Sequence, residues 1–141
     1  MFELHPQLDA DTITIGDLPL CRVLLINDSQ YPWLVLVPRR ADIQETYQLD
    51  ENDQQQLLNE SSTLGSLLMN HFNGDKLNVA ALGNMVPQLH IHHIVRFTND
   101  PTWPKPVWGM LPSLPYQEGE LNSIINELTE LISSSLNLTP C

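Results

Sequence analysis

Residues 88–97, QLHIHHIVRF, alternate in a way that suits a strand buried on one face and functional on the other. Side chains on a strand point to opposite faces in turn. Leu89, Ile91, His93, Val95 and Phe97 therefore share one face, and Gln88, His90, His92, Ile94 and Arg96 share the other. The first set reads as a core face, the second as the wall of a polar site. Such a strand needs partners and a covering layer, and the rest of the chain offers both. TITIGDLPLCRVLLIND gives short strand-like runs broken by Gly16, Asp17 and Pro19, and YPWLVLVPRR gives another, closed by Pro38. The spacer NDSQYP between them has the composition of a hairpin turn.

The period changes at Asp50, which can cap a helix whose first turn holds Glu51 and Asp53. Leu57, Leu58, Leu64, Leu67 and Leu68 mark one face of that helix, and the NGD at 73–75 stops it with a glycine. KLNVAALGN reads as a strand ending in a turn at Gly83–Asn84. Residues 99–115 hold five of the chain's 11 prolines and read as an ordered irregular segment. Leu121, Ile124, Ile125, Leu128, Leu131 and Ile132 form an i, i+3, i+4 stripe, which predicts a helix over about residues 118–136. The sum is an α+β fold: an antiparallel sheet of about five strands with two helices packed on it.

The 141 residues suit a single domain, with a core over about residues 10–110 and the C-terminal helix after it. The formal charge of −11, from 17 acidic against 6 basic side chains, repels phosphate backbones, so nucleic acid is not an expected partner. A small phosphorylated ligand stays open, because a few local groups decide that case. Two cysteines, one in an apolar run and one at the last position, fit a reducing compartment. No secretory signal and no membrane span are expected, which places the chain in the cytoplasm.

His90 and His92 stand on one strand face with Cα atoms about 6.5–7 Å apart. Two chemistries use that geometry. Paired imidazoles can hold a divalent metal, or one can attack phosphorus while the other hydrogen-bonds the phosphate or leaving group. Two half-buried histidines on a solvated sheet are the structural alternative. His93, on the apolar face, reads as a core histidine with a hydrogen-bonded ring. Trp103 and Trp108 either line a base pocket or dimer surface or simply fill space.

QLHIHHI at 88–94 resembles the motif of the histidine triad family, His-φ-His-φ-His-φ-φ with φ apolar. ALGNMVP before it and TWPKPVWG after it are similar to the family's flanking segments, and the order of elements matches the family's α+β core. The resemblance implies that His90 attacks the α-phosphorus of a dinucleoside polyphosphate, nucleoside phosphoramidate or similar conjugate. A nucleotidyl-imidazole then forms and water resolves it. It also implies that His92 donates a hydrogen bond to phosphate or leaving group, that Asn84 contacts phosphate, and that Asn27 meets the ribose. Gln88 would be a substrate contact, no cofactor is needed, and a homodimer is expected.

The departures from the motif are specific. Gln88 replaces the first histidine and cannot shuttle a proton. Trp33 occupies the place of the family's additional histidine, Met85 that of a hydroxyl residue, and His93 that of an apolar residue. Two further readings stand beside nucleotidyl transfer. One is a zinc hydrolase, which would need a third ligand from His5, His71 or a carboxylate. The other is a binding module with little turnover, either for nucleotides or for a protein docked on the C-terminal stripe.

Overall fold

The computed structural model describes residues 1–141. Six strands form one antiparallel sheet in the order β4-β5-β3-β2-β1-β6. They are β1 (Thr12–Asp17), β2 (Cys21–Ile26), β3 (Trp33–Pro38), β4 (Lys76–Ala81), β5 (Ile91–Arg96) and the two-residue β6 (Thr139–Pro140). Three α-helices, α1 (Pro6–Asp11), α2 (Glu51–Phe72) and α3 (Glu118–Ser133), complete the fold. The α+β architecture matches the reading of the sequence. The short helix α1 and the edge strand β6 add to it, each too brief to leave a periodic signal.

Helix α2 starts where its cap dictates. The Asp50 carboxylate accepts the Asp53 N–H at 2.8 Å, and Glu51 and Asp53 complement the positive end of the helix. Its far end departs from the expected glycine stop. Asn73 takes the left-handed conformation at φ 53°, and its N–H bonds the Met69 carbonyl. Asparagine tolerates that region, so the helix can end there without glycine. Gly74 serves another need: a Cβ on it would run into the Val95 side chain on β5.

The buried stripe of α2 is Leu57, Glu60, Leu64, Gly65 and Leu68. Leu58, expected on that face, is exposed, because one helical step of about 100° turns it away from Leu57. Together with α3 this stripe covers Ile15, Val23, Leu34, Leu36, Leu89, Ile91 and Val95 on one sheet face. Leu128 and Ile132 of α3 are fully buried in the same cluster, so the C-terminal stripe packs mainly on its own domain core.

Glu60 is fully buried at the centre of this packing. Its two carboxylate oxygens accept the N–H groups of Leu20 and Cys21, each at 2.9 Å, and thereby tie α2 to the turn between β1 and β2. Removing the carboxylate strands two buried donors and opens a cavity. Glu60→Ala should therefore lower stability by about 2–4 kcal/mol, read from the midpoint of urea unfolding. An unchanged midpoint would contradict this clamp.

The opposite sheet face is built differently. Leu24, Val35, Val37 and Val86 cluster with Leu8 of α1, and Phe2, Leu4, Ile26 and Trp33 pack against them. The N-terminal segment thus covers part of this face and leaves the rest as a cleft.

Candidate active site

Strand β5 lies between β3 and β4, with Val35 opposite His92 and Trp33 opposite Ile94. Alternation separates the histidines as the sequence implies. His93 faces the helices and is fully buried. Its Nδ1–H donates to the Ile91 carbonyl at 3.0 Å, which leaves Nε2 to accept the Ser61 hydroxyl of α2 at 2.7 Å. Burial lowers its pKa to about 4, so the ring stays neutral as a core polar group.

His90 and His92 meet on the other face, with ring centroids 5.0 Å apart in an edge-on arrangement. The His90 Nδ1–H donates to the Gln88 carbonyl at 2.7 Å. With the proton of the neutral tautomer on Nδ1, the lone pair lies on Nε2. His92 takes the opposite pattern: its Nδ1 accepts the Trp33 indole N–H at 2.9 Å. Burial, followed by the neighbouring His90 and His93 rings, lowers the His92 pKa to about 4.

The two imidazoles line a cleft of about 410 Å³ with Leu8, Ile26, Trp33, Asn84 and Trp108 among its walls. Trp108 stands edge-on to His92 at 5.2 Å and to Trp33 at 6.2 Å. The walls contain no lysine or arginine, and Asp11 is their only acidic side chain. An anionic ligand here would be met by neutral donors such as the Asn84 amide rather than by a cation.

An ion pair at the end of β5 ties down the start of the segment that carries Trp108. The Arg96 guanidinium, 1% exposed, donates to both Asp100 oxygens at 2.7 and 3.0 Å. It also reaches Asn78 and Thr102 and lies over the rings of Tyr31 and Trp103. Burial works to raise the Asp100 pKa, but Arg96 and the N–H groups of Phe97 and Thr102 hold it below the usual carboxylate range. Arg96 is thus a structural cation with its donors already engaged.

The other residues singled out in the sequence stand as follows. Asn84 lines the cleft. Asn27 does not: its side-chain oxygen accepts the Tyr116 N–H at 3.0 Å and fastens the turn before α3. Gln88 also points elsewhere. Its Oε1 accepts the His5 N–H at 2.8 Å and its Nε2 donates to the Glu3 carbonyl at 2.9 Å. The glutamine side chain clasps the N-terminal segment, while its backbone carbonyl orients His90.

His5 caps α1 through the Gln7 N–H, and His71 faces Glu127 at 3.1 Å. No group of three His, Cys, Asp or Glu side chains is placed to hold a metal ion. Cys21 is fully buried, and burial together with the Glu60 carboxylate pushes its thiol pKa up. Sequence reasoning missed the Trp33–His92 bond and the contribution of α1 to the cleft wall. The first had a readable signal: Trp33 shares a face with Val35 on a strand that neighbours the motif.

Two adjacent imidazoles above a sheet, one oriented by the backbone carbonyl two residues earlier, define a histidine-based site on an α+β scaffold. The chain belongs to the histidine triad family: the HIT domain model matches residues 7–99. A histidine triad protein from Marinobacter aquaeolei VT8 is 54% identical and superposes with a TM-score of 0.93, over 95% of this chain and 98% of that one. A histidine triad protein from Bradyrhizobium japonicum is 50% identical, with a TM-score of 0.90 over 93% and 98% of the two chains. The diadenosine triphosphate hydrolase of Plasmodium falciparum shares the fold at 16% identity and a TM-score of 0.59, over 95% and 92% of the chains. No curated protein matches the sequence.

Proposed function

We propose that the chain is a nucleotide hydrolase or nucleotidyl transferase acting at the α-phosphorus of dinucleoside polyphosphates or nucleoside phosphoramidates. The observation that carries this reading is the His90 ring, whose Nδ1–H is spent on the Gln88 carbonyl and whose Nε2 lone pair is left for a substrate. In the first step that nitrogen forms a P–N bond, and the bond from phosphorus to the leaving group breaks with its electron pair. His92, beside it, donates a hydrogen bond to the oxygen or nitrogen that is gaining charge. In the second step water adds to phosphorus, the P–N bond breaks, and nucleoside monophosphate and free His90 result.

Membership of the family supports this reading, as does the name of the Plasmodium falciparum neighbour, a diadenosine triphosphate hydrolase. Asn84 contacts phosphate from the cleft rim, whereas Asn27 and Gln88 act on substrate only by holding the segments around it. A zinc hydrolase is disfavoured by the lack of a third donor beside the two histidines. Hydrolysis in ¹⁸O-labelled water tests the proposal, since the monophosphate product should carry the label on its α-phosphate. No monophosphate from either substrate class would contradict it.

A homodimer in a reducing, cytoplasmic setting belongs to the same reading. Strand β4 is an unpaired sheet edge with Val79 exposed, both cysteines are free, and no helix is long and apolar enough to cross a membrane. Sedimentation should give twice the chain mass. A monomer at micromolar concentration would contradict the dimer.

A further inference from the structure

The His92 side chain makes one hydrogen bond within the chain, and its partner is Trp33. The two side chains are diagonal neighbours on one sheet face, a spacing that an indole can bridge. The rings lie 5.7 Å apart, and Trp108 packs edge-on against both. An indole N–H donates and never accepts, so His92 Nδ1 must be the acceptor. The neutral ring then carries its proton on Nε2.

We infer that Trp33 is a positioning residue for the reaction, its indole N–H holding His92 in the tautomer that presents Nε2–H to the leaving group. The inference rests on the proposed transfer at His90. The other tautomer would turn a lone pair toward a phosphate ester that is gaining negative charge. A histidine at position 33 can serve as donor or acceptor and leaves that choice open. Tryptophan closes it. The arrangement favours leaving groups whose departing atom accepts a hydrogen bond, such as a bridging phosphate oxygen.

Nitrogen-15 correlation spectra of the His92 ring test this directly, alongside steady-state kinetics of Trp33→Phe, which keeps an aromatic ring and loses the donor. The wild-type spectrum should show one tautomer protonated on Nε2, and the variant a mixture. The kcat of Trp33→Phe should fall about tenfold with KM little changed. A wild-type His92 protonated on Nδ1 would overturn the inference without any variant. Tautomer mixing in Trp33→Phe with an unchanged kcat would overturn it as well and leave the proposed function standing. The expected tautomer in a protein that turns over no nucleotide would instead overturn the proposed function.

Discussion

His90→Ala should lose nucleotidyl transfer by a factor on the order of 10⁴ or more while its unfolding midpoint stays near that of the wild type. Of the two imidazoles in the cleft, His90 is the one that keeps a lone pair free of a partner in the chain: its Nδ1–H is held by the Gln88 carbonyl, whereas the lone pair of His92 Nδ1 is taken by the Trp33 indole. His92→Ala should fall less, by about 10²-fold, because a hydrogen-bond donor to the leaving group is lost while the nucleophile remains. His93→Ala acts through the core. It empties a fully buried site and strands Ser61, so it should lower stability by about 2–4 kcal/mol. Steady-state rates and urea midpoints on the three folded variants separate these roles. Equal loss of turnover in all three would contradict them.

The second large effect is loss of stability in mild acid. His92 and His93 hold their pKa values at about 4, whereas in the unfolded chain they return to about 6.5. Between those values the unfolded state binds protons that the native state refuses. Stability is therefore fully present above 6.5 and is lost as pH falls toward 4. At about 1.4 kcal/mol for each pH unit over which the two states differ by one proton, the two rings together cost at most on the order of 7 kcal/mol. Urea midpoints measured from neutral pH down to the acid end of this window should decline steadily. The decline should be roughly halved in His93→Gln. A flat midpoint over the window would contradict the neutral, buried state of both rings.

Much of the site was legible because strand alternation is a strict rule. Parity alone divided His90 and His92 from His93, and the structure places them on opposite sheet faces. The Asp50 cap was equally readable, since a carboxylate three residues before a backbone N–H is a local interaction. Long-range contacts were not readable. Arg96 reads from strand parity as part of the wall of a polar site, but Asp100, Thr102 and Trp103 fold back and bury it. Gln88 and Asn27 have the donors and acceptors of ligand-binding residues, and nothing local reveals that the N-terminal segment takes both ends of the Gln88 amide and the Tyr116 backbone the Asn27 oxygen.

The glutamine at position 88 has a physical explanation in the same terms. The group that orients His90 is the carbonyl of residue 88, which any residue supplies. The side chain at that position was free to take another task, and it fastens residues 3–5 beside the cleft. Trp33 is a different kind of departure, because it meets His92 with its own donor. Together they leave a site whose walls hold no lysine or arginine, with a free imidazole lone pair on His90 and an Nε2–H on His92.

The most direct measurement is the intact mass of the protein after rapid quenching during turnover of a diadenosine polyphosphate or adenosine phosphoramidate. An imidazole–phosphorus bond is labile in acid, so alkaline and acid quenches should be run in parallel. An added nucleoside monophosphate is expected in the wild-type protein under alkaline quench, and none in His90→Ala. Turnover with no adduct under either quench, or an adduct that survives in His90→Ala, would contradict it.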